Sequence, residues 1–197
     1  YAVLGLPEPQ RTVLHGLLQN QQGPEHQDTM VKLVRLDLDA KDLSAALHDL
    51  PAENPADVAV LPGGQPEALE VSMLRAEVAR EQHDLPRAAR YLIGRTETQA
   101  LKMRAQLMEQ AKDWVGAVSA LKPVIDAAWT GRKEASALSP DLEALVLELA
   151  GDASRAHDDT TLAFQKRQYG SLMERSASAG FFKLLVGESS AKPPAGG

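Results

Sequence analysis

The chain has 197 residues, 44% of them hydrophobic and 24% charged, with a formal net charge of −6 and a pI near 5.4. That length buries a core without disulfides or metals, and the acidic balance excludes general nucleic-acid binding, which needs Lys and Arg set against phosphate. Aromatic residues are only 4% and cysteine is absent, so Ala, Leu, Val and Met must build the core. That mixture favours packed helices over a sandwich or barrel, and the lack of thiols removes disulfides, thiolate metal sites and a Cys nucleophile.

The first predicted helix covers 7–22, with Pro7 and Pro9 at its start, a stripe of Val13, Leu14, Leu17 and Leu18, and Gly23-Pro24 as its end. Residues 28–39 fit two periods. Met30, Val31, Leu33 and Val34 suit a helix, whereas Val34, Leu36 and Leu38 alternating with Arg35, Asp37 and Asp39 suit a strand; helix is preferred, because no second strand is at hand to pair. Asp42 caps a short helix, "LSAALHDL", that Pro51 follows. The run 51–66 is rich in Pro and Gly and reads as the longest connection, in which "ADVAVL" forms a short helix or an extended piece.

From Pro66 to about Ala128 the pattern is helical. A helix over 67–82 is followed by a shorter one over 85–93 that Gly94 closes in the left-handed conformation. Thr96-Glu97-Thr98-Gln99 reads as a capping box opening the next helix, and Asp113 caps residues 114–128. After a loop at 130–138, Ser139 caps a helix with Pro140 in its first turn and Asp141 and Glu143 favouring its dipole. A helix over 159–177 and the short apolar helix "GFFKLLVGE" complete the domain 1–186, and 187–197 is expected to be a disordered tail.

Aligned on their capping residues, Asp84 and Asp113 stand 29 residues apart, and Ala76 then matches Ala105, Val78 matches Leu107, Ala88 matches Ala117, and Leu92 matches Leu121. The Asp42 segment, 42 residues before Asp84, matches through Leu43, Ala46 and Leu50. A weaker fourth copy is "AGDASRA", where Gly151-Asp152 precede Ala153 and Ala156. In these copies Asp satisfies orphan N–H groups of the second helix, Ala lets two helices approach closely, and in the first three Leu seals the contact one turn on.

On these residues the chain resembles the tetratricopeptide repeat (TPR) family, whose units are two-helix hairpins of about 34 residues. Ala76 and Ala105 stand at the family's small residue in the first helix. Lys112-Asp113-Trp114 and Gly151-Asp152 stand at its Gly-Asp-aromatic turn, and Ala46, Ala88, Ala117 and Ala156 at the small residue of its second helix. The resemblance spans roughly 28–165 and is strongest over 69–128. It departs in its irregular spacing, in Arg75 and Arg104 at the family's Leu, and in the missing Pro at the end of the unit.

The resemblance implies an all-α fold, a right-handed α-α superhelix or TPR-like solenoid of about four helix hairpins. It also implies a concave surface lined by first helices, with Met73, Glu77, Arg80 and Glu81 from one unit and Lys102, Gln106, Glu109 and Gln110 from the next. Such a groove suits an extended or helical segment of another protein. The family's clamp for acidic chaperone termini uses Lys and Asn where this chain has Met73 and Glu77, so that role is not expected. Trp114 reads as packing between hairpins, as Leu43 and Leu85 would. Trp129 beside a Gly-Arg-Lys loop is a candidate exposed anchor, with a lid on the core as its other reading. Phe181, Phe182, Leu184 and Leu185 cap the last hairpin or form an exposed docking helix.

No motif announces a reaction. The five histidines lack HExxH or paired metal-ligand spacing, "LPGGQPE" lacks the Gly-Lys-Ser/Thr of a phosphate loop, and no G-x-S-x-G is present. The basic residues Arg75, Arg87, Arg90, Arg95, Lys102 and Arg104 lie among Glu77, Glu81, Asp84 and Glu97, which predicts ion-paired surface. No stretch approaches about 18 apolar residues, so no membrane span is expected. The chain begins at Tyr1 rather than Met, which reads as a processed protein or an excised fragment, cytoplasmic or periplasmic.

The expectation is a non-catalytic scaffold or adaptor, without metal or cofactor, that binds a peptide or helix of another protein. It is expected to act within a bacterial multiprotein assembly, and the Ala/Leu/Arg/Asp-rich composition suggests a GC-rich bacterial genome. The alternatives are a homo-oligomerisation module using 178–186, or a regulatory helical domain whose catalytic part lies elsewhere.

Overall fold

The computed structural model describes residues 7–52, 68–130 and 137–187. All regular structure among them is helical, with no strand. They fall into two compact units, Tyr1–Thr96 and Glu97–Gly197. The first holds α1 (Pro7–Leu18), α2 (Gly23–Asp39), α3 (Leu43–Asp49), α4 (Leu69–Glu81) and α5 (Leu85–Arg90). The second holds α6 (Thr98–Gln110), α7 (Trp114–Thr130), α8 (Pro140–Arg155), α9 (Asp159–Met173) and α10 (Ala179–Gly187).

Residues 28–39 lie in α2, so the helical period prevails over the alternating one. The helix buries Met30, Val31, Leu33, Val34, Asp37 and Leu38 on one side. Gly23-Pro24 corrects the sequence reading. The first helix ends at Leu18, and Gly23, at φ 67°, opens α2 with Pro24 in its first turn. Proline suits a helix start because its missing N–H is an orphan there in any case. The capping box is also displaced: the N-cap of α6 is Glu97, one residue after Thr96, and its side chain does not cap. Gly94 has the expected positive φ, 78°. "ADVAVL" and residues 188–197 lie outside the described residues, whereas Gly187 still belongs to α10.

Four joints share one construction. Lys41, His83, Lys112 and His157 are the non-glycine residues with positive φ among the described residues, each between 54° and 62°. Each precedes an Asp that caps the next helix. Asp42, Asp84, Asp113 and Asp158 accept from the N–H of Ala45, Arg87, Gly116 and Thr161 at 2.9–3.0 Å. The preceding helix closes on the same residues. The N–H of Asp42 donates to the carbonyl of Asp37 and that of Lys41 to Leu38. The same pair of bonds recurs as Asp84 to Ala79 with His83 to Arg80, Asp113 to Met108 with Lys112 to Glu109, and Asp158 to Ala153 with His157 to Ser154. These are Schellman closures, in which a left-handed residue returns two N–H groups to orphan carbonyls. One Asp thus ends one helix with its backbone and starts the next with its side chain.

This geometry corrects the fourth copy of the repeat. Gly151-Asp152 form no turn but lie inside α8, and the joint is His157-Asp158. In that register, the residue eight before each joint Asp is Val34, Ala76, Ala105 or Ala150, all fully buried. Four after it come Ala46, Ala88, Ala117 and Leu162, also buried; Ala156 is instead the C-cap of α8. The hairpins α2–α3, α4–α5, α6–α7 and α8–α9 each pack helix on helix.

Each unit has its own core. In the first, Met30, Val34, Leu38 and Ala46 meet Val71, Leu74 and Val78. In the second, Leu101, Val118, Leu121 and Ile125 meet Leu142, Val146, Leu149, Leu162 and Met173, with Phe182 and Val186 of α10 added at the end. Helix α1 packs on α2, where Arg11 donates from Nε to Oδ1 of the fully buried Asp37 at 2.8 Å and from Nη2 to Asp42 at 3.3 Å.

Candidate functional site

On α6, Thr98, Lys102, Ala105 and Glu109 follow the spacing that returns to one face. Asp141, Leu145, Glu148 and Asp152 follow the same spacing on α8. At one end of this pair of stripes lies an open cavity of about 380 Å³ between α6, α7 and α8. Its walls include Thr98, Lys102, Val124, Ser139, Asp141 and Leu145.

At the other end three carboxyl groups meet. Asp152 is only 1% exposed, and its carboxyl is pushed up to about 7, first by burial and then by the neighbouring Glu109 carboxyl. Glu148 adds to the rise, and Arg155, with Nη1 3.6 Å from Oδ1, opposes it. Burial and Glu109 also raise Glu148, while Lys102 lowers it. Burial and neighbouring negative charge both disfavour the ionised form, so Asp152 retains its proton toward neutral pH. As an ionised carboxylate Asp152 leaves Oδ2 buried without a donor.

Of the sequence candidates on α6, Lys102 and Glu109 are half-buried at this site, and Gln106 and Gln110 are exposed beside it. On α4, Met73, Glu77, Arg80 and Glu81 are half-buried in the first unit. Arg80 lies 3.4 Å from Glu77 and 3.3 Å from Glu81, and Lys41 lies 3.1 Å from Glu81. The hydrogen bond from Lys41 holds the Glu81 carboxyl below its usual range. That face is ion-paired surface. Arg75 is buried and donates to the carbonyl of Pro51 at 2.7 Å, and Arg95 donates to Ser72 Oγ at 2.6 Å.

Trp129 is half-buried against the second core, edge-on to Tyr169 with ring centres 5.3 Å apart. Trp114 lies under the Arg155 guanidinium at 5.0 Å, joining the α6–α7 hairpin to α8. Helix α10 divides its apolar residues: Phe182 is buried and Leu185 packs on the core, while Phe181 and Leu184 are exposed.

Glu148 and Asp152 were not among the candidates read from the sequence, yet a signal for Asp152 existed. Counted from the joint at Asp158, Asp152 stands where Val78 and Leu107 stand in the two preceding hairpins. Taking Gly151-Asp152 for the joint hid a carboxylate at an apolar position. Among the described residues no group of three or more His, Cys, Asp or Glu is placed to hold a metal ion, and no helix is long and apolar enough to cross a membrane. In comparisons with known proteins, no family model, curated protein or solved structure matches the chain.

Proposed function

We propose that the chain is a non-catalytic interaction scaffold whose four hairpins stack as a TPR-like right-handed superhelix and hold a segment of a partner protein, within a bacterial multiprotein assembly. The observation that carries this reading is the polar face of α6 and α8, where half-buried Lys102 lines an open, partly apolar cavity at one end and half-buried Glu109 and Glu148 stand at the other. Mixed charge next to a side-chain pocket is what an extended peptide requires of a receptor. The fourfold recurrence of one Schellman–Asp joint supports the repeat character of the fold. The test is affinity capture with the wild-type chain and with Glu77, Arg80, Lys102 and Glu109 changed to Ala. Partners are expected to be lost from the variant, and retention of every one of them removes the groove assignment.

A second reading, self-association, draws on Phe181 and Leu184, which leave an apolar pair exposed on α10. Sedimentation over a range of concentrations decides it. A monomer at every concentration, unchanged by Phe181→Ser with Leu184→Ser, removes it.

A further inference from the structure

We propose that the acidic end of the α6/α8 face receives one basic side chain, Lys or Arg, from an extended segment of the partner protein, and that an aliphatic side chain about three residues away on that segment enters the cavity at the other end. This deepens, and rests on, the reading of that face as the partner-binding surface.

Charge and hydrogen-bond inventory point to the basic side chain. Glu109, Glu148 and Asp152 gather where the resident cations serve them poorly. Lys102 acts on Glu148, while Arg155 is 58% exposed in its side chain, lies over Trp114 and reaches Asp152 only at 3.6 Å. Asp152 is buried in place of an apolar repeat residue, and its Oδ2 lacks a donor. A buried carboxylate oxygen without a donor is costly, so ionised Asp152 favours a cation supplied from outside the core. An ammonium or guanidinium supplies three to five donors. Glu109 and Glu148, both half-exposed, are the groups it meets first. Among the described residues the acids are not placed as a metal shell, which favours a donor-rich organic cation over a metal ion.

The spacing of the ligand follows from the helices. Lys102 to Glu109 on α6 and Leu145 to Asp152 on α8 each cover seven residues, or about 10 Å of helix. Three residues of extended chain span the same distance at about 3.3 Å each. The cavity end mixes Val124, Leu142 and Leu145 with Ser139 and Thr98, which suits an aliphatic side chain flanked by a polar backbone.

The arrangement also couples binding to a proton. The charged groups around Asp152 are Glu109 from α6 and Glu148 and Arg155 from α8, with Lys102 of α6 acting through Glu148. On the other packed helices, Lys122 of α7 faces Asp158 at 3.6 Å, the joint that opens α9, and Lys183 of α10 faces Glu174 at 3.3 Å. A cation arriving beside Asp152 favours its ionised form and displaces its proton, so affinity rises from pH 6 to pH 8.

The probes are the peptides acetyl-Leu-Ser-Ser-Arg-amide and its reverse, acetyl-Arg-Ser-Ser-Leu-amide, each with a norleucine-for-Arg control, titrated into the full chain. Side-chain carboxyl carbon shifts of Glu109, Glu148 and Asp152 are followed by NMR at pH 6 and pH 8. Shifts in these carboxyls with an Arg peptide, absent with its control and weakened at least about tenfold by Glu109→Gln with Glu148→Gln, support the proposal. No shift with either Arg peptide, or equal binding of the norleucine controls, overturns it. Partner capture run in parallel separates the two levels. If Lys102→Ala with Leu145→Ser abolishes capture while Glu109→Gln with Glu148→Gln leaves it intact, the groove stands and the basic-residue inference falls. If neither pair affects capture, the groove falls with it.

Discussion

At Asp152 a single buried carboxyl sets a measurable pH dependence. Its carboxyl is raised to about 7 in the folded chain, against about 3.9 when unfolded. The folded state therefore keeps a proton that the unfolded state releases from about pH 4 upward, and stability falls as pH rises toward 7. The contribution is whole below the unfolded value and gone above the folded one. Asp152→Asn is expected to flatten the profile of urea midpoints between pH 4 and pH 8 and to raise stability at pH 8, with a ceiling of about 4 kcal/mol. Equal slopes for the two proteins would remove the assignment. Asp37 is a different case, because a cation reaches it. Burial and Asp49 push its carboxyl up while Arg11 pulls it down. Arg11→Ala strands a buried carboxylate and should cost about 3–5 kcal/mol in chemical denaturation, most of which Arg11→Met with Asp37→Leu should restore. In the alternating reading of 28–39, Asp37 and Asp39 fall on the same polar face. The helical period parts them, turning Asp37 into the core and Asp39 to solvent, so their difference became legible only once 28–39 was known to be a helix.

The unit of construction at the next scale is the joint. Three of its capping residues, Asp42, Asp84 and Asp113, were legible because Asp before a helical apolar pattern satisfies orphan N–H groups. The left-handed residue before each Asp was not, since Lys41, His83, Lys112 and His157 carry none of glycine's signature for positive φ. Two expectations follow in thermal denaturation. Lys112→Gly should stabilise the chain by up to about 1 kcal/mol through relief of the left-handed penalty. Asp113→Ala should destabilise it by about 1 kcal/mol through loss of the cap to Gly116. Gly-Asp at 151–152 misled for the same reason in reverse. The dipeptide has turn chemistry, but Leu149, Ala150 and Ala153 are buried along one continuous helix, and packing of that stripe outweighs a local turn preference.

The whole chain divides at Thr96 into two compact units, each with a separate hydrophobic cluster. A fragment beginning at Glu97 retains the complete second core, from Leu101 to Val186. It is expected to fold by itself with helical circular dichroism and a cooperative urea transition; a non-cooperative one would show that the first unit supplies part of that core. The amino-acid sequence by itself determined the helical class, the positions of most helices and three of the four joints, because hydrophobic period, caps and helix propensity act within a few residues. Tertiary structure decided the true fourth joint, the burial of Asp37 and Asp152, and the meeting of Glu109 with residues 39 and 43 positions further along the chain. The physical reason is that desolvation and the repulsion of neighbouring carboxyls depend on which helices lie side by side, and a one-dimensional pattern carries no such distance.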